Sequence, residues 1–232
     1  MFTMEQLKAE SHLPGPRGNL ELLYRFIREA TLPLVEECLR VIKPNTANSP
    51  EEFVGMCGVL GYAVLHAADK PKTLGFLRPY AGHGSWRIRE AVAMGIQELS
   101  AGSLETTLPV LGSWALGSPL EQRAVVAGLC DPKVLQAGNT GDILSLLARM
   151  TRGLDHDRRL TDSESSLRQA LGYGWSVAVV ASPAPGKAAL EALLTLGTKH
   201  PSWIVRENLR KNRLVKMDPA WVETCEKRMV KA

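Results

Sequence analysis

The 232-residue chain is predicted to be all-α, an α-solenoid of stacked antiparallel helix pairs. Three observations carry that expectation. No segment alternates apolar and polar residues with the period of two that a half-buried strand needs, while apolar residues recur at helical spacing along most of the chain. Caps and first-turn prolines precede many of the apolar runs, as in Ser49-Pro50-Glu51-Glu52 and Thr161-Asp162. One line also occurs twice: Ser85-Trp86-Arg87-Ile88-Arg89-Glu90 and Ser202-Trp203-Ile204-Val205-Arg206-Glu207 both read Ser-Trp-x-(Ile/Val)-Arg-Glu before running on as helix. Composition agrees. Hydrophobic residues at 45% permit a sizeable core, and aromatics at only 6% favour helices over sheets.

Taken in order, residues 1–18 end in His12-Leu13-Pro14-Gly15-Pro16-Arg17-Gly18 and read as a turn-rich lead-in to a single solenoid domain over 19–232. Asn19 caps a helix from Leu20 to Ala30, and Pro33 opens the next, which reaches about Ile42. The helix after Ser49 runs to about Ala68. Its Gly55, Gly58 and Gly61 predict close approach of neighbouring helices, because glycine otherwise weakens a helix. Asp69-Lys70-Pro71 reads as its end, with a short amphipathic segment from Thr73 to Tyr80. Helices follow from Trp86 to Ser100, Ser103 to Leu116 and Leu120 to Leu129. A short helical piece starts at Asp131-Pro132, a turn occupies 138–141, and an amphipathic run extends from Asp142 to Met150. Residues 152–161 are a charged loop. The remaining helices span about Asp162–Val180, Lys187–Gly197, Trp203 onward from Pro201-Ser202, and Pro219–Met229.

An arginine stands early in every second helix: Arg89, Arg123, Arg168 and Arg206, separated by 34, 45 and 38 residues. These separations suit helical repeats. The lines resemble HEAT repeats, whose second helix often reads Val-Arg-x-Ala-Ala-x-x-Leu; Arg89 and Arg206 match best, over roughly residues 70–215. The resemblance implies architecture. It also implies that such arginines pair with acidic groups between repeats, a structural role for Arg89, Arg123 and Arg168.

A narrower resemblance lies in the last thirty residues. Val205-Arg206-Glu207-Asn208-Leu209-Arg210 followed by Lys216-Met217-Asp218-Pro219-Ala220-Trp221-Val222 is similar in order and spacing to the end of HEAT-like alkylpurine DNA glycosylases. That likeness implies excision of alkylated bases as the alternative function. The family's helix tryptophan falls at Lys211 here, and its catalytic Trp-Asp-x-Val-Asp line finds only Trp114-Ala115-Leu116-Gly117-Ser118, with serine where the carboxylate belongs. Trp86 with Glu90 keeps a spacing of four on one helix face, but Trp203 with Glu207 repeats it, as a structural repeat would. No catalytic residue is assigned.

Charge is uneven. From Lys199 onward nine Lys or Arg face four Asp or Glu, a net of +5, so the preceding 198 residues carry −1 of the total +4. Arg206, Arg210 and Arg213 fall at i, i+4 and i+7, with Lys211 beside them, which predicts one basic helix stripe able to follow phosphates without reading bases. The candidate nucleic-acid-binding set is therefore Trp86, Arg87, Glu90, Trp203, Arg206, Arg210, Lys211 and Arg213. The favoured function is a non-catalytic scaffold whose concave face takes a protein or nucleic acid. Cys38, Cys57, Cys130 and Cys225 lack zinc or disulfide spacing and read as buried thiols of a cytoplasmic protein. Asp155-His156-Asp157 is a weak metal motif, His83 and His200 precede the two Trp lines at equivalent places, and no phosphate-binding glycine loop occurs. No cofactor, metal or membrane partner is expected.

Overall fold

The computed structural model describes residues 2–135 and 140–230. Among these residues there are helices and turns but no strands. Of the predicted turn at 138–141, residues 138 and 139 lie outside them, while Thr140 and Gly141 already belong to a helix, Thr140–Arg152. No described helix is long and apolar enough to cross a membrane. The chain forms two compact units, Met1–Val110 and Leu111–Ala232.

The first unit is built around α4 (Pro50–Leu65), whose residues from Glu52 to Gly61 are all buried. A helix apolar on every side has to be covered on every side. It is packed by α1 (Met4–Ala9), α2 (Leu20–Glu29), α3 (Leu32–Arg40), α5 (Lys70–Ala81) and α6 (Trp86–Ser100). The three glycines act as the sequence predicts. A Cβ on Gly58 would stand 2.8 Å from the Leu39 backbone nitrogen, and one on Gly55 would meet Ile42 and Ile88 at 2.9 and 2.8 Å. Asp69 does not end a helix but caps α5, accepting from the Lys72 amide. Residues 4–9, expected as part of the lead-in, are helical and bury Met4 and Leu7.

The second unit contains α8 (Pro119–Leu129), α9 (Thr140–Arg152), α10 (Asp162–Ala181), α11 (Pro183–Glu191), a 3-10 turn (Ala192–Thr195), α12 (Lys199–Leu209), α13 (Asn212–Met217) and α14 (Pro219–Val230); α7 (Leu104–Trp114) precedes α8. Its centre is α10, with α8 and α12 packed on it. Gly174 admits α8: a Cβ there would lie 2.7 Å from Val126 and 3.0 Å from the Cys130 sulfur. Gly172 admits α12, since a Cβ would lie 2.8 Å from the Trp203 ring. Capping boxes at Ser118 and Thr161 start α8 and α10. Within the first unit α4 packs against α6, and within the second α10 packs against both α8 and α12.

All four cysteines are free and buried. Burial pushes the Cys38 and Cys130 thiols up to about 12 and Cys225 to about 11. Such thiols are poor nucleophiles.

Candidate functional site

The two Ser-Trp lines do not occupy the same place on their helices. Ser85 caps α6, its hydroxyl accepting from the Ile88 amide at 3.1 Å, so Trp86 is the first helical residue and stays 53% exposed. The Arg87 guanidinium stacks 4.6 Å from the Trp86 ring centroid. Arg87 itself is only 5% exposed, so it is not the surface contact expected of it. Its Nη1 donates to Glu52 Oε2 at 2.8 Å and its Nη2 to the Gly15 carbonyl at 2.7 Å. Glu52, 1% exposed on the apolar α4, also accepts from the Asn48 amide at 2.8 Å and from the Ser85 hydroxyl. A carboxylate buried there requires a cation, and Arg87 is drawn inward to supply it. Glu90 lies one turn after Trp86, half-buried.

Trp203 sits inside α12, which starts at Lys199. Its ring edge lies against Gly172, and Arg168 stacks 4.5 Å from its centroid. Arg168 Nη1 also reaches His200 Nδ1 at 3.3 Å. A guanidinium only donates, so Nδ1 is the acceptor. The Nε2 proton then goes to the Arg158 carbonyl at 2.9 Å. His83 repeats this pattern: Nδ1 accepts from the Ser85 amide and Nε2 faces the Lys43 carbonyl, both at 3.0 Å. Both histidines thus tie a helix start to a carbonyl about forty residues upstream, 83 to 43 and 200 to 158.

The charged loop before α10 has a structural task. Asp155 accepts from the Thr198 hydroxyl at 2.5 Å and Asp157 from the Lys199 amide at 3.3 Å, so the loop caps α12 from outside. The His156 ring lies edge-on to His200, centroids 5.4 Å apart. Among the described residues no three His, Cys, Asp or Glu are grouped to hold a metal.

The expected single basic stripe is interrupted. α12 ends at Leu209, and α13 restarts at Asn212. Turning the chain there buries Leu214 completely, a tertiary gain that no glycine or proline announces. Arg206 is exposed, makes no ion pair among the described residues, and borders a small cleft of about 60 Å³ beside Leu193, Leu196, Val205 and Met229. Arg210 and Lys211 both reach Glu207, at 3.3 and 3.7 Å. Arg213 folds back on Tyr173, its guanidinium 4.5 Å from the ring centroid and its Nη2 donating to the hydroxyl at 2.8 Å. Lys216 is exposed and, among the described residues, unpaired.

The segment from Lys216 to Val222 packs the last helices together. Asp218 caps α14 through the Trp221 amide at 2.9 Å and binds Lys187 Nζ at 2.5 Å. Lys187 in turn lies 5.4 Å from the Trp221 ring centroid. Glu191 accepts from Trp221 Nε1 and from Arg228 Nη1, each at 2.8 Å. The bond from Lys187 lowers the Asp218 carboxyl below its ordinary range, and the bond from Trp221 does the same to Glu191. Trp114 is fully buried, and Ser118 is the cap of α8.

Three residues of this region were not singled out by sequence. Glu52 looked like one of two first-turn acids. Asn208, fully buried, donates from Nδ2 to the Leu171 and Ile204 carbonyls at 2.9 and 2.7 Å and accepts from the Ser176 amide at 2.7 Å, which locks α12 to α10. Tyr173 is 48% exposed beside Arg213. A tyrosine set between two glycines was the available signal. Comparison with protein-family models, with curated proteins and with solved structures finds no match to this chain.

Proposed function

We propose that the protein is a non-catalytic scaffold of HEAT-like helix pairs that binds nucleic acid as a polyanion through the α12–α13 corner. The observation that carries this reading is the charge of residues 206–216, where Arg206, Arg210, Lys211, Arg213 and Lys216 face the single carboxylate of Glu207. Side-by-side packing of α4 with α6, and of α10 with α8 and α12, supports the scaffold part. So does the use of other charged groups: Glu52, Glu191 and Asp218 are spent on helix-to-helix bonds, as are Arg87 and Arg168. No base-reading motif accompanies the cations, so affinity rests on phosphates and is indifferent to sequence.

The test uses the two cations of the corner that make no ion pair among the described residues. Arg206→Glu with Lys216→Glu is titrated with a fluorescent oligonucleotide at two salt concentrations, beside wild type. The wild-type slope of log K against log salt is expected near −3, from roughly −0.9 per duplex phosphate contact. The double variant is expected to bind about tenfold or more weakly at low salt, with a shallower slope. Equal binding by the two proteins would remove the corner from the reading. No binding by wild type at low salt would end it.

A further inference from the structure

We infer that the corner takes single-stranded rather than duplex nucleic acid, with Tyr173 as a platform for one base; this rests on the polyanion reading above. Tyr173 projects from α10 with nearly half its surface in water. It is not a loosely held side chain. Arg213, from α13, stacks on the ring and bonds its hydroxyl, fixing the phenol at two points. The α10 backbone beneath is anchored on both sides of Tyr173, at the Leu171 carbonyl and the Ser176 amide, by the one buried side chain of Asn208. Ser176 adds a hydroxyl bond to the Tyr173 carbonyl at 2.7 Å.

An aromatic ring fixed beside a guanidinium is of little use to a duplex, whose bases stack on one another and offer phosphates outside. A single strand presents both groups at once, phosphates to the cations that flank Arg213 in the chain, Arg210, Lys211 and Lys216, and a base face to the ring. Stacking on an aromatic side chain is tolerant of base identity, which suits a site with no base-reading groups. Glu207 does not oppose the strand, because Arg210 and Lys211 both hold it.

The experiment is an anisotropy titration of wild type, Tyr173→Ala and Tyr173→Phe with a short single-stranded oligonucleotide and with a duplex of the same sequence at equal low salt. Wild type should prefer the single strand. Tyr173→Ala should weaken single-strand binding roughly 5- to 100-fold, the usual effect of losing one stacked base, and leave duplex binding within about twofold. Tyr173→Phe keeps the ring and should stay near wild type. Thermal melts of the three proteins should agree closely, as the residue is half-exposed. If wild type binds both forms alike and Tyr173→Ala changes neither, the platform is wrong and the polyanion corner stands. If wild type binds neither, the corner fails and the platform with it.

Discussion

Replacing Arg87 by methionine should destabilise the first unit severely. The substitution keeps most of the apolar stem but removes two bonds, 2.8 Å to Glu52 and 2.7 Å to the Gly15 carbonyl. What remains is a carboxylate at 1% exposure with only the Asn48 amide and the Ser85 hydroxyl as donors. Breaking a buried pair from one side costs about 3–5 kcal/mol, because the remaining charge is left desolvated. Removing both charges, with Glu52→Leu added, should recover much of that loss, since apolar replacements of a buried pair are often close to neutral. Urea unfolding monitored by circular dichroism gives the stabilities. Hydrogen exchange read by mass spectrometry locates the effect, which should appear in peptides of α4 and α6 while those of α10 and α12 stay protected. A loss below about 1 kcal/mol for Arg87→Met would mean that water reaches the pair, and the inward pull on Arg87 would not explain its burial.

Three further outcomes follow from the same contacts. Asn208→Ala leaves the Ser176 amide and the Leu171 carbonyl without a side-chain partner inside the α10–α12 contact, and should cost about 2–3 kcal/mol in the same urea assay; a value near zero would mean the two helices do not need the amide. Glu164 is lowered from its ordinary 4.5 to about 2, first by Arg158 and then by the Thr161 cap. Its contribution is therefore complete above about pH 4.5 and lost as pH falls toward 2, so Glu164→Gln should cost about 1 kcal/mol at neutral pH and nothing near pH 2. Cys130, raised to about 12 by burial, should resist iodoacetamide in the native protein and react in urea.

Much of the helical order was legible because it rests on local chemistry. Asn19 and Thr161 start helices where their side chains accept an amide hydrogen, and glycines 55, 58 and 61 mark a close contact because nothing else explains them in a helix. What sequence missed depends on distant partners. Asp69 reads as a stop beside Pro71, yet it caps α5, where a first-turn proline is welcome. The Lys187 helix was placed late: Pro183, Ala184 and Pro185 begin it, and its end tightens into a 3-10 turn by Ala192. The run from Trp203 to Arg213 looked continuous because no glycine or proline interrupts it; the break at Arg210 goes with the burial of Leu214. Arg87 looked like a surface cation because its partner, Glu52, lies 35 residues away on a helix whose other faces are apolar. At the basic corner the cations were visible in the sequence, whereas their pairing with Glu207 and the folding of Arg213 onto Tyr173 came from the three-dimensional path.

Lysine footprinting tests the polyanion corner most directly. The protein is acetylated briefly with and without a saturating oligonucleotide at low salt, and each lysine is quantified by mass spectrometry. Lys211 and Lys216 should be protected, while exposed Lys72 of the first unit should acetylate at its free rate. Protection at Lys72 with none at Lys211 and Lys216, or unchanged acetylation at all three while the oligonucleotide is bound, would contradict binding at the α12–α13 corner.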